Sequence, residues 1–136
     1  MAGNEQTPGH TDWAAIPTIM VVASDLKLLK LLDMALSLEL ACSVLTLDSG
    51  SSAETAAQRI KPDLLILDEY LLDRRARDLG TRLHSVTGLE RVPTLLINVA
   101  VLSQSQSQSY PTLFLSTSWK MEELYAAVHG LLGHPS

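Results

Sequence analysis

Short apolar runs alternate with segments of helical periodicity along most of this chain. The runs have the length of strands, and two of them, TIMVVA and DLLILD, are almost continuously apolar, which is typical of strands buried on both faces of a sheet. We predict strands over residues 18–23, 44–47, 63–68, 92–98 and 112–116. Between them, apolar residues recur at helical spacing over residues 25–39, 51–60, 76–86 and 121–132.

Strands that alternate with helices favour βαβ units with right-handed crossovers. The predicted fold class is therefore α/β, a five-stranded parallel sheet with helices on both faces (doubly wound). One helix is weak or missing, because the connection between the fourth and fifth strands alternates Ser and Gln over residues 103–109 and has no apolar stripe to bury. We assign residues 1–17 to a flexible N-terminal leader and residues 18–133 to the domain. Asp25 is expected to cap the first helix.

Composition narrows the classes of function. A chain of 136 residues with 46% hydrophobic and 18% charged residues is expected to form one domain with a real core. A net charge of −5 argues against nucleic-acid binding, which needs a concentrated basic face. We expect no membrane span and a cytoplasmic protein, because no apolar stretch reaches about 18 residues. The single cysteine, Cys42, and four histidines without ligand spacing predict neither a metal site nor a cofactor.

Several short motifs occur in one order along the chain. Lys61-Pro62-Asp63 leads into the third strand, which ends on Asp68; Val92-Pro93 opens the fourth strand, and Glu122-Glu123-Leu124 lies in the last helix. In this order and spacing they resemble the receiver domain of bacterial two-component response regulators, over residues 16–133. The resemblance implies the flavodoxin-like fold of that family.

In receiver domains the aspartate at the end of the third strand accepts a phosphoryl group from a histidine kinase, and Asp68 matches that position. The resemblance also implies a magnesium ion held by two acids after the first strand, since Mg²⁺ prefers carboxylate oxygens. This sequence has Ala23 and Ser24 there. Neither can supply a charged ligand.

Other functional positions of the family are also changed. The lysine after the fifth strand is replaced by Thr117, and the Thr or Ser after the fourth strand by Asn98. Phe114 keeps the aromatic switch position. The sequence thus resembles a degenerate receiver, or pseudo-receiver, in which Asp68 is a hydrogen-bonded strand-end residue whose expected partners are loop amides or Ser24 and Asn98.

The first helix, predicted over residues 25–39 and called α1 below, carries two apolar stripes. One faces the sheet, and Leu31, Met34 and Leu38 form a second stripe outside it, which we name the α1 stripe. An exposed apolar stripe is typical of a protein–protein interface. The alternative is that the leader, through Trp13, covers it.

Three arginines, Arg74, Arg75 and Arg77, follow Asp68. They are either a solvated surface or a binding site for an anion or acidic partner.

We therefore predict a non-catalytic domain that acts by phosphorylation-independent association with a protein. The expected partner is a second copy in a homodimer, a histidine kinase or a regulatory protein. One alternative is a genuine single-domain response regulator phosphorylated on Asp68. Another is a small-molecule sensor that uses the crevice at the carboxyl ends of the strands.

Overall fold

Five parallel strands form the sheet of the computed structural model, which describes residues 16–100 and 110–133. In chain order the elements are β1 (Thr18–Val22), α1 (Leu26–Glu39), β2 (Ser43–Leu47), α2 (Gly50–Ala57), β3 (Leu64–Asp68), α3 (Ala76–His84), β4 (Thr94–Val99), β5 (Thr112–Ser116) and α4 (Met121–Leu132). The strands lie in the order β2-β1-β3-β4-β5, and all four neighbouring pairs are parallel. The predicted α/β class and doubly wound parallel sheet are confirmed.

Alternate residues of the central strands face opposite sides of the sheet, and two of the described helices cover each side. Ile19 and Val21 of β1 belong to a core with α1 and α4, whereas Met20 and Val22 belong to a core with α2 and α3. Every residue of β3 is buried, which explains its continuous apolar run.

The strand order reverses between β2-β1 and β3-β4-β5, so the carboxyl ends of β1 and β3 lie side by side at the switch point. The loops after these strands meet at this edge of the sheet. Residues 23–25 and 69–75 therefore come together although they are far apart in sequence.

Helix boundaries differ from the prediction by up to three residues, most in α2 and α3. The helix predicted over 51–60 is α2, Gly50–Ala57, because Ser49 caps its start by accepting a hydrogen bond from Ser52 N and Pro62 follows shortly after its end. The helix predicted over 76–86 ends at His84. Asp25 does cap α1, since its carboxylate accepts hydrogen bonds from the backbone N–H groups of Lys27 and Leu28.

Strand boundaries differ from the prediction by at most two residues: β5 is as predicted, and the largest shift is in β4, which is Thr94–Val99 in place of 92–98. The predicted leader over 1–17, the Trp13 contact and the weak helix between β4 and β5 fall wholly or mainly outside the described residues. Within residues 16–100 and 110–133, no helix is long and apolar enough to cross a bilayer.

Candidate functional site

Asp68 ends β3 at the switch point of the sheet and is only 1% exposed. Its Oδ1 accepts a hydrogen bond from the backbone N–H of Tyr70 at 3.0 Å and a second from the Asn98 side-chain amide at 2.9 Å. A buried carboxylate needs such donors to offset the loss of water. The carboxylate is therefore anchored to its own loop and to the neighbouring strand.

Asn98 reaches Asp68 because β4 contains a bulge. The register with β5 passes from Leu96–Phe114 to Val99–Ser116, which leaves one extra residue on β4. Asn98 lies in this bulge with φ +61°, in the left-handed region that Asn tolerates better than most residues. The bulge re-aims the side chain toward the carboxyl end of β3.

Trp119 completes a chain of three side chains. Its indole N–H donates to Asn98 Oδ1 at 3.0 Å, while the amide of the same Asn98 donates to Asp68. Trp119 packs partly buried against the core formed with α1 and α4. The chain thus ties β3, β4 and the β5–α4 loop together at the edge of the sheet.

Ser24 lies on the other side of the switch point, directly after the buried Ala23. Its hydroxyl oxygen accepts a hydrogen bond from the backbone N–H of Leu72 at 2.9 Å. This bond joins the β1–α1 loop to the β3–α3 loop.

The expected partners of Asp68 were therefore correct in part. A loop amide and Asn98 do bind its carboxylate. The expected bond from Ser24 to Asp68 is not formed; the contact that the Ser24 hydroxyl makes is to the Leu72 N–H, from which its oxygen accepts.

The same loop is fastened to α2. The Asp73 carboxylate accepts hydrogen bonds from Gly50 N at 2.9 Å and Ser51 N at 3.1 Å, the free N–H groups at the start of that helix. These bonds, that of Gly50 first, lower the pKa of Asp73 below its usual value. The side chain of Arg74 forms an ion pair with Glu54 of α2.

The three arginines do not form one anion site. Arg74 is held by Glu54, and the Arg77 guanidinium lies 5.4 Å from the centre of the Phe114 ring, within reach of a cation–π interaction. Arg75 is the exposed residue before the first turn of α3. The three side chains thus have different surroundings, and binding of an anion or an acidic partner by them stays a prediction.

The remaining family positions are spread over β5 and its loop. Phe114 is half-buried in β5 and packs against the core formed with α2 and α3. Thr117 is exposed in the turn after β5. Trp119, two residues later, provides the link to Asn98; the only signal for it in the sequence was a lone tryptophan close behind the last strand.

The α1 stripe is exposed in the structure. Leu31 is 47% exposed, Met34 56% and Leu38 84%, whereas Leu29, Leu32 and Leu36 of the same helix are buried. The division of α1 into a core face and an outer apolar stripe is confirmed for the described part of the chain.

No protein-family profile matches this sequence, and neither does any curated protein. Solved structures do match. The chain is similar to the receiver domain of a sensor histidine kinase from Pseudomonas aeruginosa, crystallised with a magnesium ion in its active-site cleft, at 18% identity and a TM-score of 0.73 over 88% of this chain and 100% of that one. The chain has the receiver fold.

Two further structures with the receiver fold show the same likeness. The signal receiver domain of an HD domain-containing protein from Pseudomonas fluorescens is 21% identical, with a TM-score of 0.73 over 88% of this chain and 96% of that chain. A chemotaxis protein of Vibrio cholerae, CheY4, is 16% identical with a TM-score of 0.73, over 87% and 100%.

The residues at the switch point do not fit a magnesium ion. The Ala23 side chain has no donor atom, the Ser24 oxygen already accepts the Leu72 amide, and Asp68 Oδ1 already accepts two hydrogen bonds. Glu69 has a buried Oε1 without a partner in the described part of the chain, but no third acid, histidine or cysteine there joins it in a cluster that could hold a metal. Mg²⁺ needs near-octahedral oxygen ligands, and this donor set does not provide them.

Proposed function

We propose that this chain is a degenerate receiver domain of the two-component signalling type that acts by protein association without phosphorylation. The observation that carries the proposal is the state of Asp68: its buried carboxylate is bonded to Tyr70 N and Asn98 while the neighbouring metal-binding positions are Ala23 and Ser24. The aspartate serves as a structural tie between loops.

Electrostatics supports the loss of phosphorylation. Transfer of a phosphoryl group to a carboxylate brings several negative charges together, and a cation must stabilise them. Arg74 and Arg77, the nearby cations on the loop and α3, are held by Glu54 and Phe114. At the position of the family's lysine, Thr117 brings no charge.

The association half of the proposal is supported by the α1 stripe. Three large apolar side chains lie next to one another on an outer helix face, on the opposite side from the buried leucines of the same helix. Exposed apolar surface of this kind is typical of an interaction site. The protein would then transmit a signal through the partner that it binds.

A phosphoryl-analogue experiment tests the loss of phosphorylation. The full chain is incubated with millimolar Mg²⁺ and beryllium fluoride, and adduct formation is followed by fluorine NMR; acetyl phosphate with intact-mass detection is the second assay. We expect no saturable adduct on the natural protein. An adduct that saturates and disappears in Asp68→Asn would overturn the proposal in favour of a phosphorylated response regulator.

A restored variant is the matched control. Ala23→Asp, Ser24→Asp and Thr117→Lys together return the charged groups that the receiver family uses. This variant is expected to gain Mg²⁺-dependent adduct formation at Asp68, which shows that the assays can detect it on this fold.

A further inference from the structure

We propose that the partner of the α1 stripe is a second copy of this chain, packed with its α1 antiparallel to the first. This inference rests on the proposed association function and names its partner. It is carried by two independent features of α1, the placement of its apolar side chains and the placement of its charges.

The apolar side chains suit an antiparallel pair that overlaps along the whole helix. In that register Leu31 of one copy lies opposite Met34 of the other, and Leu38 lies opposite Lys27, whose aliphatic stem covers it. The two-fold axis repeats each contact. The three residues of the α1 stripe are then covered by the partner helix.

The charges of α1 are arranged against its own dipole. The basic residues Lys27 and Lys30 lie in the first half of the helix, and the acidic residues Asp33 and Glu39 lie in the second half. The first turn contains no acid and the last turn no base, the opposite of what the helix dipole favours. In the described part of the chain, none of these four residues takes part in a salt bridge.

In an antiparallel pair, these charges attract each other between the two copies. The basic half of one helix then lies along the acidic half of the other, with Lys30 of each copy beside Asp33 of its partner. A parallel arrangement would place bases beside bases and acids beside acids. The charge pattern therefore selects both the second copy as partner and the antiparallel orientation.

Sedimentation equilibrium and light scattering of the full chain test the pairing. An interface of about one helix from each copy is small, so the association is expected to be weak and dependent on concentration, with a dissociation constant on the order of micromolar to tens of micromolar. The mass should rise from that of one chain, 14.8 kDa, toward twice that value as the protein is concentrated. Added salt should weaken the pair.

Charge reversal tests the charge pairing, and the loss of self-association in each variant alone tests the orientation, since a parallel pair would place like charges together already in the natural protein. Lys27→Glu with Lys30→Glu makes an acidic α1, and Asp33→Lys with Glu39→Lys makes a basic α1. Each variant alone should be monomeric, and an equimolar mixture of the two should form a one-to-one heterodimer at least tenfold tighter than either variant pairs with itself. Both variants improve the match between charge and helix dipole, so unfolding of α1 cannot explain their loss of self-association.

Two exposed leucines provide a matched comparison for the apolar contacts. Leu38→Glu should abolish the dimer, whereas Leu72→Glu, at an equally exposed leucine (87% against 84%) in the loop after β3, should leave it intact. Circular dichroism and thermal unfolding check that both variants are folded.

Three results would overturn the antiparallel pair. The first is a natural protein that stays monomeric at about 200 µM, well above the dissociation constant expected for an interface of this size. The second is a dimer that survives Leu38→Glu. The third is a pair of charge-reversed variants that fail to associate when mixed. None of these outcomes bears on the beryllium fluoride experiment. If the protein is monomeric and forms no adduct, the proposal of a phosphorylation-independent domain is retained, and only the second copy is rejected as its partner.

Discussion

Asn98 combines a left-handed backbone with a side chain that serves two partners. Its φ of +61° follows from the bulge in β4, and its amide group bonds Asp68 on one side and Trp119 on the other. Backbone strain and side-chain contacts both act at this residue, and substitution can separate them.

Asn98→Gly removes both hydrogen bonds but accepts the positive φ, whereas Asn98→Ala removes the same bonds and adds the steric cost of the left-handed region. We expect Ala to lower the free energy of unfolding by about 1 kcal/mol more than Gly. Urea denaturation of the two variants measures the difference. Equal stability of the variants would contradict the bulge geometry.

The Asp73 carboxylate fastens the loop after β3 to α2, and the stability that this contact provides depends on pH. Its pKa is lowered by the hydrogen bonds from Gly50 and Ser51, so its stabilising effect is complete above the unfolded value, near 3.8, and is lost as the pH falls through the lower pKa of the folded protein. At pH 7, Asp73→Asn should lower the free energy of unfolding by about 0.5 to 1 kcal/mol, as for an anion at a helix start.

The difference between natural protein and Asp73→Asn should shrink toward zero on acidification below the usual aspartate range. Urea unfolding at a series of pH values follows it. Asp48→Asn, at an exposed acid after β2, is the control, and a similar pH profile in that variant would remove the assignment to Asp73.

The sequence predicted the position of the site but not all of the hydrogen bonds within it. Asn98 was named as an expected partner of Asp68, and both residues lie near the carboxyl ends of neighbouring parallel strands, which share one edge of the sheet. The partner of Ser24 was wrong and Trp119 was missed. Both depend on the path of loops and on a one-residue bulge, which apolar periodicity does not encode.

At the scale of elements, α1 shows how one helix serves two surfaces. Its core face was readable from spacing, since Leu29, Leu32 and Leu36 recur at helical intervals and are buried. The ends of α2 and α3 were less predictable, because a helix end is decided by caps and by the first residues of the next turn.

Paired alanine substitutions in α1 compare how much the buried face and the α1 stripe contribute to the free energy of unfolding. Leu36→Ala removes a fully buried side chain and is expected to lower the free energy of unfolding by about 2 to 5 kcal/mol. Leu38→Ala, two residues away on the α1 stripe, should change it by no more than about 0.5 kcal/mol in the monomer. Chemical denaturation at low protein concentration makes the comparison, and similar losses from both variants would contradict the two-faced helix.

At the scale of the whole molecule, burial is concentrated in the middle of the sheet. The central strands β1, β3 and β4 are almost wholly buried, whereas most residues of the edge strands β2 and β5 are only partly buried. This follows from the parallel topology, in which both faces of the inner strands are covered by helices.

Amide hydrogen exchange should report this gradient. Amides of β1, β3 and β4 are expected to exchange only by global unfolding, and those of β2 and β5 faster, through local opening. Mass spectrometry of peptides or NMR resolves the strands. Uniform protection across all strands would contradict the distribution of burial.

Because its indole is hydrogen-bonded to Asn98, Trp119 can serve as a fluorescent probe of the edge of the sheet where Asp68 lies. Tryptophan occurs only at positions 13 and 119, so Trp13→Phe leaves a single tryptophan, which is hydrogen-bonded to Asn98 and, through Asn98, linked to Asp68. Its emission wavelength will follow water entering between the indole and the amide. Any partner or solute that disturbs the carboxylate can then be detected by fluorescence, without a label.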